Sequence, residues 1–355
     1  MTATLIASAP PCDVHDVGLY DLDGVIYLGD DAVVHAVDAV QAAAGRGLRP
    51  LYVTNNSSRE PEEIAAQIAG FGVPCEPGQV VTSAQSVALL LRELLEPGAR
   101  VLPIGGQGLR TALQNAGFEL VESAEDAPAA VVQGYAADLG WRDLAEAAYA
   151  VGAGARHVAT NLDGSIPKER GIAPGNGALV RAVVEATGVD PVASGKPLPA
   201  IYHQAAERIG ASSPLAIGDR LDTDLEGARA SGMPGLLVLT GVATARDVVL
   251  APAHQRPSLL AVDLRGLFVH HPGPLAVEDG WWGCGAAVAR VHDGALELVD
   301  DPTGPRGPSG AQRLNGAAPV TVSLDGWRAL CVAAWDAADR GEPVDARVVP
   351  PLTVG

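Results

Sequence analysis

The stretch that decides the fold is Val17-Gly18-Leu19-Tyr20-Asp21-Leu22-Asp23-Gly24-Val25. Its first four residues predict a short buried strand, and two carboxylates follow closely. A helical pattern comes next, whose predicted apolar face consists of Val33, Val37, Val40 and Ala44. In open α/β sheets, the carboxyl ends of the strands carry the chemistry. Because two carboxylates this close repel each other unless a cation or a proton-transfer role keeps them, the stretch predicts a reaction centre at a sheet edge.

The composition limits the class of partner. The chain has 355 residues, enough for two or three domains, and a formal net charge of −18. Nucleic acid and anionic membranes need basic surfaces, so neither is expected as a partner. A small anionic substrate remains compatible, because a bound metal and local cations can override the global field. The four cysteines fit no zinc-site spacing, and neither a leader peptide nor a membrane-spanning run is found. We expect a cytoplasmic protein with a small-molecule ligand.

The order of the elements predicts the domain organisation. Strand-like runs at 51–54, 215–218 and 236–239 alternate with helical patterns, which predicts a doubly wound parallel sheet with helices on both faces. The segment between them has its own α/β rhythm and is far too long for a loop. We therefore predict an α/β core of residues 1–82 and 190–265, an inserted α/β domain of residues 83–189, and a small C-terminal α+β extension of residues 266–355.

The C-terminal extension is the part of the sequence with the weakest functional signal. Trp327, Cys331 and Trp335 recur at helical spacing, which predicts a stripe that packs in a core. The pair His270-His271 lies in a predicted linker, where a solvated pair is favoured over a metal site. We expect the extension to be an interaction or regulatory domain, or a pad that packs on the core.

Four polar pieces adjoin predicted strand ends. They are Asp21 with Asp23, Thr54-Asn55, Lys196 within Ser194-Gly195-Lys196-Pro197, and Gly218-Asp219-Arg220-Leu221-Asp222-Thr223-Asp224. Each piece by itself is weak, because paired aspartates occur by chance and a Gly-Lys-Pro run is usually a turn. All four are predicted at the same edge of one sheet, and structural needs alone do not account for that combination.

In this order the pieces resemble the four motifs of the haloacid dehalogenase-like (HAD) phosphatases, over about residues 15–265. The insertion is similar to the cap of the C2-capped branch, which contains NagD-like and p-nitrophenyl phosphatases; the matching runs are Thr160-Asn161-Leu162-Asp163 and Pro174-Gly175-Asn176-Gly177. Core and tail together look most like actinobacterial members, a group that includes glycerol 3-phosphate phosphatases. The resemblance implies a Rossmann-like HAD core under a C2 cap, Mg²⁺ as cofactor, and phosphoric monoester hydrolysis.

The resemblance also implies roles for the acidic residues. Asp21 is the nucleophile that forms an aspartyl phosphate, and Asp23 is the general acid and then the general base. The metal ligands are Asp21, the main-chain carbonyl of Asp23, and Asp219, with Asp224 as a further contact. Asp222 stays unassigned.

The remaining motif residues bind phosphate in this interpretation. The Thr54 hydroxyl and the Asn55 backbone N–H hold the phosphoryl oxygens as preorganised donors. The compact ammonium of Lys196 neutralises phosphate charge and orients Asp21.

The cap loop predicts the substrate. By resemblance, Asn161 and Asp163 contact the leaving group, and Asp163 can accept hydrogen bonds from a polyol; turn chemistry is the open alternative. Relatives often carry Phe-Pro where this chain has Ile166-Pro167, and aromatic residues make up only 4% of the chain, so a small aliphatic phosphate ester is favoured. Glycerol 3-phosphate is the first expectation, and phosphoglycolate or a broad p-nitrophenyl phosphate-type specificity is the alternative.

Other functional classes remain open from the residues alone. A phospho-acceptor or metabolite sensor uses the same aspartyl-phosphate chemistry as a switch, and a phosphomutase uses it for transfer. The retained acid/base Asp23 and the large insertion favour the hydrolase. The resemblance also allows a homodimer.

Overall fold

The computed structural model describes residues 5–168, 170–300 and 310–355. The chain forms two compact units. The first unit comprises the described residues of Met1–Leu28, Ala32–Pro50 and Ala211–Gly355, and the second comprises those of Gly29–Asp31 and Leu51–Gly210. These units do not correspond to the three predicted segments, whose boundaries stay a prediction.

The first unit contains a parallel sheet and an antiparallel sheet. The parallel strands are, in spatial order, Leu259–Ala261, Gly235–Val238, Pro214–Gly218 and Val17–Tyr20. The antiparallel strands are Leu275–Ala276, Trp282–Cys284, Ala287–His292, Ala295–Val299 and Gln312–Leu314. A parallel pair joins Val320–Val322 to Leu352–Val354. Two short strands lie at Tyr27–Leu28 and at Asp31–Ala32, the second of which straddles the boundary between the units. The α-helices of this unit are Pro11–Val14, Ala36–Gly45, Glu226–Ala230, Ala245–Val249 and Leu324–Asp339.

The second unit has its own parallel sheet. Its strands are, in spatial order, Val192–Ala193, Arg156–Ala159, Ala130–Gln133, Arg100–Ile104 and Glu119–Leu120. The strand Arg49–Thr54, of which residues 51–54 belong to this unit, pairs in parallel with Val80–Thr82. Ser165–Lys168 forms an antiparallel hairpin with Gly171–Pro174. The α-helices are Pro61–Gly70, Ser83–Leu94, Gln107–Asn115, Trp141–Gly152, Asn176–Thr187 and Ala200–Ile209. Parallel sheets with helices confirm the predicted α/β class.

The first helix after the aspartate pair differs from the prediction. It begins only at Ala36, and its buried face consists of Ala36, Ala39, Val40 and Ala43. Val33 lies in a turn before the helix, where its carbonyl accepts a hydrogen bond from the Ala36 N–H. Ala44 is exposed. The prediction is confirmed for Val40, but the rest of the predicted face is out of phase with the buried one, because it was counted from Val33, which is not helical.

The predicted tryptophan stripe lies in a core. Trp327, Cys331 and Trp335 are buried in the same cluster as Leu237 and Leu260 of the parallel sheet. The indole N–H of Trp327 donates to the Ala245 carbonyl at 2.9 Å, and that of Trp335 donates to the Val248 carbonyl at 3.0 Å. Both carbonyls belong to the helix Ala245–Val249. The extension therefore packs on the parallel sheet of its own unit, which confirms the stripe as core packing.

The histidine pair is not a solvated pair, so that prediction was wrong for His271. His270 is exposed, but His271 is buried. An arginine can only donate, so Nδ1 of His271 accepts from Arg328 at 3.1 Å and Nε2–H donates to the Gly266 carbonyl at 2.8 Å. Burial, together with the nearby Arg328, lowers the pKa of His271. The neutral imidazole thus joins the extension to the preceding turn.

Among the helices that the structure describes, none has the length and the apolar character needed to cross a membrane.

Candidate active site

Three buried carboxylates converge in the first unit. Asp21 follows the strand Val17–Tyr20, and Asp219 follows its parallel neighbour Pro214–Gly218. Tyr20 lies opposite Ile217, so both strands end at the same edge. Asp224 comes from the turn after Asp219, and one oxygen of each carboxylate lies within 4.8 Å of the others. Strand alternation alone predicted this edge, and the structure brings these three predicted residues together.

Backbone donors hold two of the carboxylates in place. The Val242 N–H donates to Oδ2 of Asp219 at 2.6 Å, and the Arg220 N–H donates to Oδ2 of Asp224 at 3.2 Å. The Thr240 hydroxyl donates to the Gly24 carbonyl at 2.6 Å, which ties the same loop to the turn after Asp23. Sequence reasoning missed the loop around residues 240–242, because it carries no titratable side chain.

Glycines let bare backbone approach the cluster. A Cβ on Gly24 would lie 2.6 Å from Oδ2 of Asp219, and Gly24 also has φ +83°, where side chains are disfavoured. A Cβ on Gly241 would lie 2.0 Å from the same oxygen, and one on Gly218 would lie 2.2 Å from Cβ of Asp224. The carboxylates are therefore packed against main chain that tolerates no side chain.

The donor set fits Mg²⁺. Buried like charges this close repel each other, a bound cation offsets that repulsion, and oxygen donors suit a hard divalent ion. Asp222 does not join them, because it pairs with the guanidinium of Arg220 at 2.8 Å. Asp23 is exposed, and its backbone forms a bridge with Tyr27.

The predicted phosphate-binding residues lie in the second unit. Thr54 and Asn55 come at the end of the strand Arg49–Thr54, and the Thr54 hydroxyl accepts the N–H of Asn56 at 3.1 Å. Lys196 is only 4% exposed, and its ammonium donates to the Val53 carbonyl at 3.1 Å. A charged group this buried is fixed by its partners rather than by solvent.

The structure brings both predicted cap residues to Asn55. The Asn55 amide donates to Oδ2 of Asp163 at 3.0 Å, and the Asn161 amide donates to the Asn55 carbonyl at 2.8 Å. Asn161 also accepts the Asp163 N–H at 3.2 Å, which is an Asx turn. Asn161 therefore has the turn geometry that the alternative interpretation predicted, and it also links this loop to Asn55.

A buried polar chain supports this loop, and sequence reasoning missed its roles. The Asn176 amide donates to the Asn161 carbonyl at 2.8 Å and to the Gln133 carbonyl at 3.3 Å. The Gln133 side chain lies 2.7 Å from Nε2 of His157, whose Nδ1 lies 2.9 Å from the Val189 carbonyl. Burial lowers the pKa of His157, and the hydrogen bond with the Val189 carbonyl opposes this shift. Of Asn176, Gln133 and His157, only Asn176 had a signal in the sequence, as part of the run Pro174-Gly175-Asn176-Gly177 that resembles the family's cap.

Comparisons with known proteins agree with the motifs. A model described as haloacid dehalogenase-like hydrolase matches residues 18–119, and a HAD-hydrolase-like model matches residues 193–267. D-glycerol 3-phosphate phosphatase of Mycobacterium tuberculosis is 44% identical over 295 residues, which are 81% of this chain and 82% of that protein.

Solved structures give the same result over nearly the whole chain. The crystal structure of a glycerol phosphate phosphatase from Mycobacterium tuberculosis in complex with magnesium has a TM-score of 0.78 at 38% identity, covering 99% of this chain and 95% of that one. A p-nitrophenyl phosphatase from Archaeoglobus fulgidus has a TM-score of 0.67 at 27% identity, covering 72% and 98%. The chain therefore belongs to the haloacid dehalogenase-like hydrolases and is a phosphoric monoester hydrolase with Mg²⁺ as its cofactor.

Proposed function

We propose that the chain hydrolyses glycerol 3-phosphate to glycerol and inorganic phosphate through an aspartyl phosphate on Asp21. The observation that carries the proposal is the convergence of the buried carboxylates of Asp21, Asp219 and Asp224 within 4.8 Å. The similarity to the mycobacterial D-glycerol 3-phosphate phosphatase supports the choice of substrate. Bound Mg²⁺ supplies positive charge that offsets the charge of the phosphate and of these carboxylates.

Asp21 and Asp23 divide the chemistry in this proposal. A carboxylate oxygen of Asp21 attacks phosphorus, and the bond between phosphorus and the glycerol oxygen breaks as Asp23 donates a proton to that oxygen. Asp23 then accepts a proton from a water that attacks phosphorus, which releases phosphate and restores the Asp21 carboxylate. The exposure of Asp23 supports its role, because an acid/base must exchange protons with substrate and water.

Thr54, Asn55 and Lys196 hold the phosphoryl group in this proposal. The Thr54 hydroxyl and the Asn55 backbone N–H donate to phosphoryl oxygens, which costs no reorganisation when they are fixed beforehand. The Lys196 ammonium has three donors, so its bond to the Val53 carbonyl is compatible with a contact to phosphate.

The cap loop selects the leaving group in this proposal. The Asp163 carboxylate accepts hydrogen bonds from the hydroxyls of glycerol, and Asn161 fixes the turn that presents Asp163. A homodimer and a cytoplasmic location stay predictions. Cross-linking or light scattering of the purified chain tests the first, and fractionation of the source cells tests the second.

The experiment is phosphate release from a panel of esters with Mg²⁺ and with EDTA. The panel contains glycerol 3-phosphate, phosphoglycolate, p-nitrophenyl phosphate, pyridoxal phosphate and a nucleoside monophosphate. We expect Mg²⁺-dependent release with the highest kcat/KM for glycerol 3-phosphate. Asp21→Asn should lower kcat at least about a thousandfold. The matched control Asp222→Asn removes an aspartate outside the carboxylate cluster and should keep the activity. Substantial turnover by Asp21→Asn, or no release from any ester by the folded protein, contradicts the proposal.

A further inference from the structure

The side chain of Asn55 makes a paired contact with the backbone of Lys196. Its Oδ1 accepts the Lys196 N–H at 2.8 Å, and its Nδ2 donates to the Lys196 carbonyl at 3.0 Å. One side-chain amide thus pairs with both the main-chain N–H and the main-chain carbonyl of Lys196, as a neighbouring β-strand would. The same Nδ2 also donates to Oδ2 of Asp163 at 3.0 Å. Asn55 therefore contacts the predicted phosphate-binding lysine and the predicted leaving-group residue with one planar group.

The position of Asn55 is itself tightly determined. Its carbonyl accepts from the Asn161 amide at 2.8 Å and from the Ser83 hydroxyl at 2.7 Å. A Cβ on Gly195 would lie 2.7 Å from Oδ1 of Asn55 and 2.5 Å from the Thr160 carbonyl. The loop that carries Lys196 can approach Asn55 this closely only because residue 195 is a glycine. Three other chain segments therefore contact Asn55, namely the one at Ser83, the loop with Asn161 and Asp163, and the loop with Lys196. A shift of the Asn55 amide moves more than one of them.

We infer that the side chain of Asn55 is a positioning residue that couples the placement of Lys196 to the orientation of Asp163. The inference rests on the proposed function and deepens it, because only the backbone N–H of Asn55 had a role there. An amide is needed at this position, since the contact with Lys196 requires a donor and an acceptor in one plane, and the contact with Asp163 requires the donor again.

The substitution Asn55→Asp isolates the donor. It keeps the size of the side chain and the acceptor for the Lys196 N–H, but places an oxygen against the Lys196 carbonyl and the Asp163 carboxylate. Two contacts between acceptors replace two hydrogen bonds. Asp163→Asn supplies a new donor and can restore the bond between residues 55 and 163 in reversed polarity, while the bond to the Lys196 carbonyl stays lost.

The experiment measures kcat and KM of wild type, Asn55→Asp, Asp163→Asn and the double variant with Mg²⁺. The two substrates are glycerol 3-phosphate and p-nitrophenyl phosphate, whose leaving group carries no aliphatic hydroxyl. Glu185→Gln is the matched control, since Glu185 is an exposed acid near the end of a helix of the same unit. Circular dichroism checks folding, and Asn55→Ser, which removes the amide without adding a charge, replaces Asn55→Asp if that variant does not fold.

The inference predicts a split between the substrates. Asn55→Asp lowers kcat on both by about ten- to a hundredfold, because it disturbs Lys196. Asp163→Asn raises KM for glycerol 3-phosphate and leaves p-nitrophenyl phosphate near wild type. Asn55→Asp also raises KM for glycerol 3-phosphate, because it removes the donor to Asp163. In the double variant, KM for this substrate rises by less than the product of the two single-variant fold-changes, and the loss of kcat stays.

Two results would overturn the inference. In the first, kcat of Asn55→Asp or Asn55→Ser stays within about twofold of wild type on both substrates. In the second, the fold-changes in KM of the two single variants simply multiply in the double variant. A wild-type protein that hydrolyses neither substrate refutes the proposed function instead. The two failures are therefore distinguishable.

Discussion

Removing one carboxylate from the metal cluster should stabilise the metal-free protein. Two unit charges 4.8 Å apart, the outer limit for the pairs among Asp21, Asp219 and Asp224, repel by about 3.5 kcal/mol at an effective dielectric of about 20. Asp219→Asn removes two of the three pair repulsions, and its oxygen can still accept the Val242 N–H. Because neighbouring groups and solvent offset part of the repulsion, we expect a gain of about 1–3 kcal/mol in the free energy of unfolding in EDTA.

The same substitution should remove most of the stabilisation by Mg²⁺. An ion that binds only the folded state adds about 2.7 kcal/mol at a hundred times its Kd, and the variant has lost one ligand. The assay is urea unfolding in EDTA and in Mg²⁺, followed by tryptophan fluorescence. Four of the five tryptophans lie in the unit that holds the cluster, so fluorescence reports mainly on that unit.

Asp263→Asn is the matched control. Asp263 is a buried aspartate of the same unit that pairs with Arg265 at 2.7 Å. Its pKa lies below the usual range, because hydrogen bonds from Arg265 outweigh the opposing effect of burial. Removing a carboxylate that already has a cation should destabilise the protein equally with and without Mg²⁺. An Asp219→Asn variant that is less stable than wild type in EDTA, with an unchanged response to Mg²⁺, refutes the repulsion argument.

Two further predictions concern the C-terminal extension. Trp327→Phe removes the indole donor to the buried Ala245 carbonyl, so it should cost about 1–3 kcal/mol more in urea unfolding than Trp281→Phe. The indole N–H of Trp281 is buried with no hydrogen-bond partner in the described part of the chain, and equal costs would contradict the reasoning. Burial and Arg328 hold the pKa of His271 below its ordinary 6.5, so its contribution to stability is complete above that pH and lost as pH falls from there through the folded pKa. The difference in unfolding free energy between wild type and His271→Gln should therefore shrink from about pH 7.5 to about pH 5.5, and a constant difference would count against the neutral imidazole.

Much of the acidic cluster was predictable, because its signals are local. A buried strand followed by Asp21 and another followed by Asp219 predict two carboxylates at one edge, since parallel strands end together. The family resemblance then assigned their chemistry. The Val242 N–H that holds Asp219 was not predictable, since it comes from a backbone 23 residues away and leaves no mark in the side-chain pattern.

Long-range contacts account for the other differences between prediction and structure. The side chain of Asn55 pairs with a residue 141 positions later, so only its place after a strand was visible in the sequence. His271 looked like a linker residue because its partner Arg328 lies 57 positions later on a helix. The helix after the aspartate pair begins at Ala36, after His35 adopts a left-handed conformation with φ 68°, which side-chain periodicity does not indicate.

The central claim is that Asp21 carries the phosphoryl group during hydrolysis. The measurement that tests it most directly is acid quenching during turnover of glycerol 3-phosphate with Mg²⁺, followed by mass spectrometry of the peptide that contains Asp21. The Asp23→Asn variant serves for accumulation, because it lacks the base for the second step. The account predicts the mass of one added phosphoryl group on Asp21, more of it in Asp23→Asn than in wild type, and none in EDTA. Phosphate release with no phosphorylated Asp21 in either protein, or a phosphoryl group on another residue, contradicts it.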